Sequence, residues 1–460
     1  MNVSEIQIAN NEMREISEQV LKLAKKYGAS DAELSLNRGS GLSVEIHKNQ
    51  VDKLEYNRDQ GLSLTVYMGK NGKNQGSATT GDLSKQAIED TVKAACNIAK
   101  FTGEDKYTGL ADADLMLTDE QHSDNEDLDL YHPWDLSAEQ AIEITRECEA
   151  AALGFDKRII NSDGASISTY SGIGLIANTN GFTGIMPSSR HSLSCSVIGQ
   201  KDGDETATND MQRDYWYSST RVRAELESPE AVGIKSAERT LARLGGEKIS
   251  TRKANVLYSP EMSRSIIGHF TSAIGGGSQY RKSTYLLDCV DEKVFPDFIH
   301  LHEQPHIKQA FGSSYFDKEG VATRNRDIVV DGVVQSYIMG SYSARQLGLK
   351  STANSGGTHN LTLDSTGHSF EELLKMLDTG FYVTELIGSG INGITGDYSR
   401  GAAGFWVENG EIQFPVEEVT VAGNLKDMLQ NIVAVGTDVD LRGGTRTGSI
   451  LVEGMMVAGA

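Results

Sequence analysis

Apolar and polar positions alternate with two different periods along the chain. Residues 11–27 carry Ile16, Val20, Leu23 and Ala24 at helical spacing and end at Gly28, which predicts a helix. The period then falls to two in LSVEIHKNQVDKLEYN (42–57) and GLSLTVYMGKNGKNQGSATT (61–80), with Asn71-Gly72 as a hairpin signal. Residues 84–100 return to helix through Ile88, Val92, Ala95 and Ile98, and 137–153 read as helix too. Residues 159–221 predict further strands, with turns at NTNG and KDGDE. Ser228-Pro229-Glu230 opens another helix, whose stripe is Ile234, Ala237, Leu241 and Leu244, stopped by Gly245.

The second half begins with the strand ANVLY and a helix opened by Ser259, Pro260 and Glu261. Met262, Ile266, Phe270 and Ile274 form one stripe of that helix, with His269 beside it. Hairpins follow at Asp331-Gly332 and Asn409-Gly410, and helix 369–379 interrupts the strands. Strands and helices do not alternate strictly. The expected class is α+β: two domains rich in mainly antiparallel sheet with packed helices. They are placed at 1–228 and 229–460, the second β-rich and carrying helix 259–275.

Length supports that division, because 460 residues exceed one ordinary core. A net charge of −21 speaks against direct nucleic-acid contact and against an anionic membrane surface as partner. No run approaches the roughly 20 apolar residues that span a bilayer. The N-terminal stretch MNVSEIQIANNEMRE has no apolar h-region. Cys96, Cys148, Cys195 and Cys289 are scattered, as free thiols in a reducing compartment would be. A cytoplasmic location is expected. The acidic segment 104–139 lacks calcium-loop spacing and reads as a solvated connector.

Three motifs invite a chemical reading. HEQPH (302–306) matches the HExxH zinc-protease pattern and would use His302, Glu303 and His306. Its Pro305 breaks the helix that the chemistry needs, at about 3 kcal/mol, so a loop with exposed histidines is the simpler reading. GSGING (388–393) matches GxGxxG, but a helix does not follow, so a dinucleotide is not expected. The loop 388–404 suits a close approach of backbone to backbone or to a bound chain. Gly388, Gly390, Gly393, Tyr398 and Arg400 are its candidate substrate-contacting residues, though the glycines would serve tight turns equally well. His269 lacks a ligand one turn away, since Ser265 and Ala273 stand there.

The segments SQYRKSTYLLD (278–288), SYSARQLGLKS (341–351) and TGDYSRGAAGFWVENGEIQFPVEEVTVAGNLKDM (395–428), with helix 259–275, closely resemble the TldD/TldE family, in its TldE branch, also called PmbA. The resemblance runs from the first helix to the last strand. It implies a TldD/TldE zinc metalloprotease complex that processes or degrades unstructured peptides, with this chain in a heterodimer with a TldD-type catalytic subunit, or as a homodimer when alone. TldD-type chains carry HExxxH on the corresponding helix and a further cysteine ligand near the C-terminus. The six positions here read Arg264-Ser265-Ile266-Ile267-Gly268-His269, and the cysteine would fall near Thr447-Gly448. Arg264, Ser265 and His269 are then remnant positions. Neither catalytic residues nor metal ligands are expected in this chain, zinc belongs to the partner, and His269 is structural or lines a cleft. The competing readings are a self-sufficient metallohydrolase built on His302, Glu303 and His306, and a non-enzymatic modulator of DNA gyrase, the older label of the family.

Overall fold

The structure is a computed structural model that describes residues 3–69, 73–202 and 210–459. In the first half, helix α1 (Val3–Lys26) precedes strands β1 (Asp31–His47), β2 (Gln50–Met68) and β3 (Asn74–Thr80) and helix α2 (Lys85–Phe101). Short α3 (Asp119–Asp124) and α4 (Ala138–Leu153) follow, then β4 (Ile159–Asn178), β5 (Thr183–Gln200), β6 (Met211–Thr220) and α5 (Pro229–Ala242). The strands form one antiparallel sheet in the order β3-β2-β1-β4-β5-β6.

Strand alternation explains how four helices cover this sheet. The even positions of β1, Ala32, Leu34 and Leu36, lie in one cluster with Val20 of α1 and Val92 of α2. Its later even positions, Leu42, Val44 and Ile46, lie in another with Cys148 of α4 and Val232 of α5. Even positions share a face, so the two helix pairs sit end to end on one side of long strands. Because α5 packs on α4, β5 and β6, the first body extends through Ala242, later than the boundary at 228. The Asn71-Gly72 turn and much of KDGDE lie outside the described residues.

The second half holds β7 (Arg252–Tyr258), α6 (Pro260–Ala273), α7 (Gly276–Tyr280), β8 (Leu301–Glu303), β9 (Arg326–Val330), β10 (Val333–Val334), α8 (Ser341–Leu347) and β11 (Leu361–Leu363). It continues with α9 (Phe370–Leu377), β12 (Gly380–Ile387), β13 (Asp397–Glu408), β14 (Glu411–Asn424), α10 (Leu425–Gln430), β15 (Ile432–Val435), β16 (Thr445–Arg446) and β17 (Ile450–Ala458). The larger sheet runs β14-β13-β12-β7-β17-β15, and β14 bonds back to β17, closing five strands into a ring. The smaller runs β10-β9-β8-β11-β16. Among the described strands only β7–β12 and β11–β16 pair in parallel, so the α+β reading holds. Asp331-Gly332 and Asn409-Gly410 turn as expected, with φ of 49° and 76°, and 52° and 73°, the positive pair that a two-residue hairpin needs.

The acidic segment 104–139 corrects its expectation as a solvated connector. Leu128 and Leu130 are buried with Phe182 of the first half and Tyr315 and Phe316 of the second. The Leu128 N–H donates to the Tyr315 hydroxyl at 3.0 Å, and that hydroxyl donates to the Glu126 carbonyl at 2.8 Å. Asp112, Asp114 and Glu126 meet Arg345, Lys350 and Lys308. Three of the segment's carboxylates thus answer basic residues more than 180 positions away, and the segment straps one half to the other.

Candidate functional site

Helix α6 rises from the end of β7 beside the ring. Its first turn is fixed from inside rather than by its leading serine. The Ser259 Oγ is buried without a partner among the described residues, whereas Ser263 Oγ donates to the Tyr258 carbonyl at 3.1 Å and accepts from the Ile450 N–H at 3.0 Å. That ties the helix to β7 and β17. Ile266, Phe270 and Ile274 are fully buried as the stripe predicts, and Ile267 joins them. The helix runs unbroken through Gly268 to Ala273, so that glycine introduces no distortion.

Residues five apart on a regular helix point about 140° from each other. Arg264 and His269 accordingly enter different surroundings. The Arg264 Nη2 lies 2.5 Å from Asp440 Oδ2, in the loop before β16, and 3.4 Å from the Tyr217 hydroxyl of β6. Arg442 grips the same carboxylate at 2.9 Å and reaches Glu261 of α6 at 3.0 Å. Its guanidinium lies over the rings of Trp216 and Tyr217, at 4.1 and 4.4 Å. Ser265 donates its hydroxyl to the Met262 carbonyl of its own helix at 2.7 Å. Thr447 is fully buried, and its carbonyl accepts from the Asp440 N–H at 3.1 Å, which closes the loop carrying Asp440.

Burial pushes the Asp440 carboxyl up, but the two bonds from Arg442 and the nearby Arg264 outweigh it and hold the group below its ordinary value. Glu261 is likewise desolvated and likewise held low, by the N–H groups of the helix start, Arg239 and Arg442. These carboxylates are ionised ion-pair partners, and neither is poised as a general base. Glu261, Arg442, Tyr215, Arg239 and Glu385 line a cleft of about 370 Å³ between the two halves.

His269 faces the ring instead. Its imidazole meets Tyr398 edge-on with centroids 6.1 Å apart, and Arg400 lies nearby. Burial, helped by Arg400, lowers its pKa and keeps it neutral. His269 Nε2 and Arg400 Nε are buried without a hydrogen-bond partner among the described residues, whereas the Tyr398 hydroxyl interacts with Tyr258 and Arg400. An unpaired imidazole nitrogen there is what a ligand's polar atom would satisfy.

The structure therefore brings together His269, Tyr398 and Arg400 and leaves the glycines apart. Gly390 is consumed by the chain itself. The Ser399 N–H donates to its carbonyl at 2.7 Å, and a Cβ there would stand 1.9 Å from the Ser399 oxygen. The Gly393 carbonyl accepts from the Tyr285 N–H, and Gly388 holds φ of +75° at the strand end. Asp440, Arg442, Tyr217 and Trp216 escaped the sequence reading. Their one signal is that a half-buried Arg264 needs a counter-charge, which names no position.

HEQPH does not form the zinc-protease arrangement. His302 and Glu303 are neighbours on strand β8 and so point to opposite faces. Glu303 is buried, bonded to Arg326 at 2.8 Å, to Asn354 at 2.7 Å and to the His359 N–H at 2.7 Å. His306 bonds Thr323 at 3.1 Å. His302 instead lies with His300 and Asp327.

Comparison with known proteins agrees with this architecture. Residues 32–99, 131–244 and 251–459 match the profiles of domain 1, the central domain and the C-terminal domain of the PmbA/TldA metallopeptidases. The chain is 45% identical over 458 residues to Metalloprotease PmbA of Escherichia coli O157:H7, covering 99% of this chain and 98% of that one. A crystal structure from Bacteroides thetaiotaomicron, described as a proposed modulator of DNA gyrase, superposes with a TM-score of 0.90 at 29% identity, covering 98% and 99% of the two chains. TldE from Thermococcus kodakarensis shares the fold, with a TM-score of 0.79 at 17% identity over 96% of this chain and all of that one. Three matched domains and a full-length relative agree, and the chain is a member of the PmbA/TldD metallopeptidase family, of the PmbA/TldE type.

Proposed function

We propose that this chain is the non-catalytic subunit of a cytoplasmic TldD/TldE-type zinc metalloprotease complex, pairing with a TldD-type subunit that holds the zinc and cuts extended, unstructured peptides. The observation that carries the proposal is the Arg264–Asp440 ion pair. Arg264 stands at the first ligand position of the resembling helix, and a guanidinium has no lone pair to give a metal. Zinc hydrolysis needs about three protein ligands and an open position. Here the second position, Ser265, is a hydroxyl turned back on its own helix, and His269 faces Tyr398 and Arg400. The side chains present on α6 do not fit a zinc ion. The guanidinium supplies the positive charge in its place, and Asp440 answers it.

What this chain contributes is a wall for the substrate. The cleft between the halves offers aromatic rings and fixed ion pairs but not a free nucleophile or base among the described residues. An extended peptide held through its main chain is bound with little regard to sequence. The test is peptidase activity and α6-bound zinc for the chain alone, then mixed with a TldD-type partner. The expected result is cleavage only in the mixture. About one zinc per chain abolished by His269→Ala, or cleavage by the isolated chain, would overturn the proposal.

A further inference from the structure

On the smaller sheet, two imidazoles and two carboxylates converge from three chain segments. His302 is the middle residue of β8, paired in register with Asp327 on β9 and flanked on its other side by β11. His300 precedes the strand by one residue. Its Nε2 lies 2.8 Å from Asp327 Oδ1, and its Nδ1 lies 3.5 Å from Asp364 Oδ2. His302 Nε2 lies 3.1 Å from the other oxygen of Asp364. The Asp364 N–H donates to the His300 carbonyl at 3.1 Å, which fixes that carboxylate beside the pair. The two imidazole centroids are 5.0 Å apart.

The donor atoms of His300, His302 and Asp327 all lie within 4.8 Å of one another. A tetrahedral zinc with bonds of 2.0–2.1 Å to nitrogen holds its donors roughly 3.4 Å apart. The side chains need close by at most about 1.4 Å, and they are free to do so, being 23 to 54% exposed. The backbone beneath them is held by ladder bonds and by Leu301 and Glu303, which are buried on the opposite face. One divalent cation in that group would engage both imidazoles and the Asp327 carboxylate. Two imidazole nitrogens with a carboxylate oxygen suit zinc and the late first-row metals, whereas calcium and magnesium take oxygen ligands.

We propose that His300, His302 and Asp327, with Asp364 beside the two imidazoles, form a surface site for a divalent cation of the zinc class, separate from α6. The site clips β8 to β9 and to the segment after β11. It offers no route to hydrolysis, because Glu303, the base of the HEQPH pattern, is spent on Arg326 and Asn354 on the other face.

The full chain, stripped with a chelator and dialysed, is titrated with ZnCl2 alone and followed by calorimetry and elemental analysis. One zinc per chain is expected at micromolar free metal, undisplaced by excess Mg²⁺ or Ca²⁺. His302→Asn and Asp327→Asn should each weaken binding at least tenfold, and the His300→Asn/His302→Asn double variant should abolish it. His269→Ala and His306→Asn should leave it intact. The metal-free variants should keep the wild-type unfolding midpoint, since the altered side chains are partly exposed. Absence of saturable binding in the wild type, binding that survives the double variant, or binding lost with His269 or His306 would overturn the site.

Discussion

Arg264 and Asp440 stand 176 residues apart in the chain and 2.5 Å apart in space, with Asp440 also held by Arg442. The carboxylate is 4% exposed and has two guanidiniums on it. Replacing it leaves both cations half-buried without their main partner. Asp440→Asn should destabilise the chain by about 3 kcal/mol, the cost of breaking a buried pair from one side. Arg264→Met leaves Asp440 with Arg442 and should cost about 1 kcal/mol. Chemical unfolding of the two variants ranks them, and equal losses would contradict the shared-carboxylate geometry.

Metal binding on α6 should resist partial repair. Arg264→His with Ser265→Glu supplies two groups of the resembling motif, but His269 still faces the ring and Thr447 is still a buried threonine. Zinc bound above the level of the unaltered chain is not expected. Adding Thr447→Cys gives a better chance of metal. Activity would then rest on groups that orient the ligands. The readout is zinc retained after dialysis in a His300→Asn/His302→Asn background.

In the mixed complex, changing the glutamate of the partner's HExxxH should abolish cleavage of an unstructured peptide. His269→Ala in this chain should leave most of it. A reversed pattern, with activity lost only through His269, would make this chain the enzyme.

Stability should fall on acidification in two separate windows. His269, His191 and His306 all have folded pKa values lowered by burial. The unfolded chain therefore binds protons first. Stability is full above about pH 6.5, falls as the pH drops through that value, and levels off below the lower folded values. Asp440 is depressed by its arginines against burial, so its contribution is present above about pH 4 and is lost as the pH falls towards its folded value. Unfolding midpoints at pH 7.5 and 5.5 check the first window, and His269→Gln should flatten it.

The strap is open to the same kind of measurement. Leu128 is 1% exposed, and Leu128→Ala should cost about 2–4 kcal/mol. Tyr315→Phe removes bonds to Leu128 and Glu126 and should cost about 1 kcal/mol. Both should speed limited proteolysis within 104–139, and unchanged cleavage would count against the packing described.

Local chemistry was the legible part of this sequence. The Asp331-Gly332 and Asn409-Gly410 turns, the Ser228 cap and the α6 stripe each depend on residues a few positions apart, and each forms as read. Ser259 looked like an equally good cap but makes no capping bond, because Ser263 offers the first turn a tie to two strands at once. The site was legible only as a loss of ligands at 264, 265 and 269. What replaced them came from long range, from Asp440 and Arg442 one way and from Tyr398 and Arg400 the other. HEQPH misled because a pattern in sequence does not state its period: on a strand, His302 and Glu303 part company.

The strap also has a consequence in time. Leu128 is synthesised 187 residues before Tyr315, the residue whose hydroxyl it binds. At 5–20 residues per second, a ribosome takes roughly 10–40 s to span that interval. During it, Leu128 and Leu130 have left the ribosome before Tyr315 and Phe316, the part of their aromatic cover that comes from the second half, exist. The nascent chain thus carries an apolar ribbon flanked by acid, and the dense negative charge of 104–139 is well placed to keep neighbouring nascent chains apart until the second half arrives.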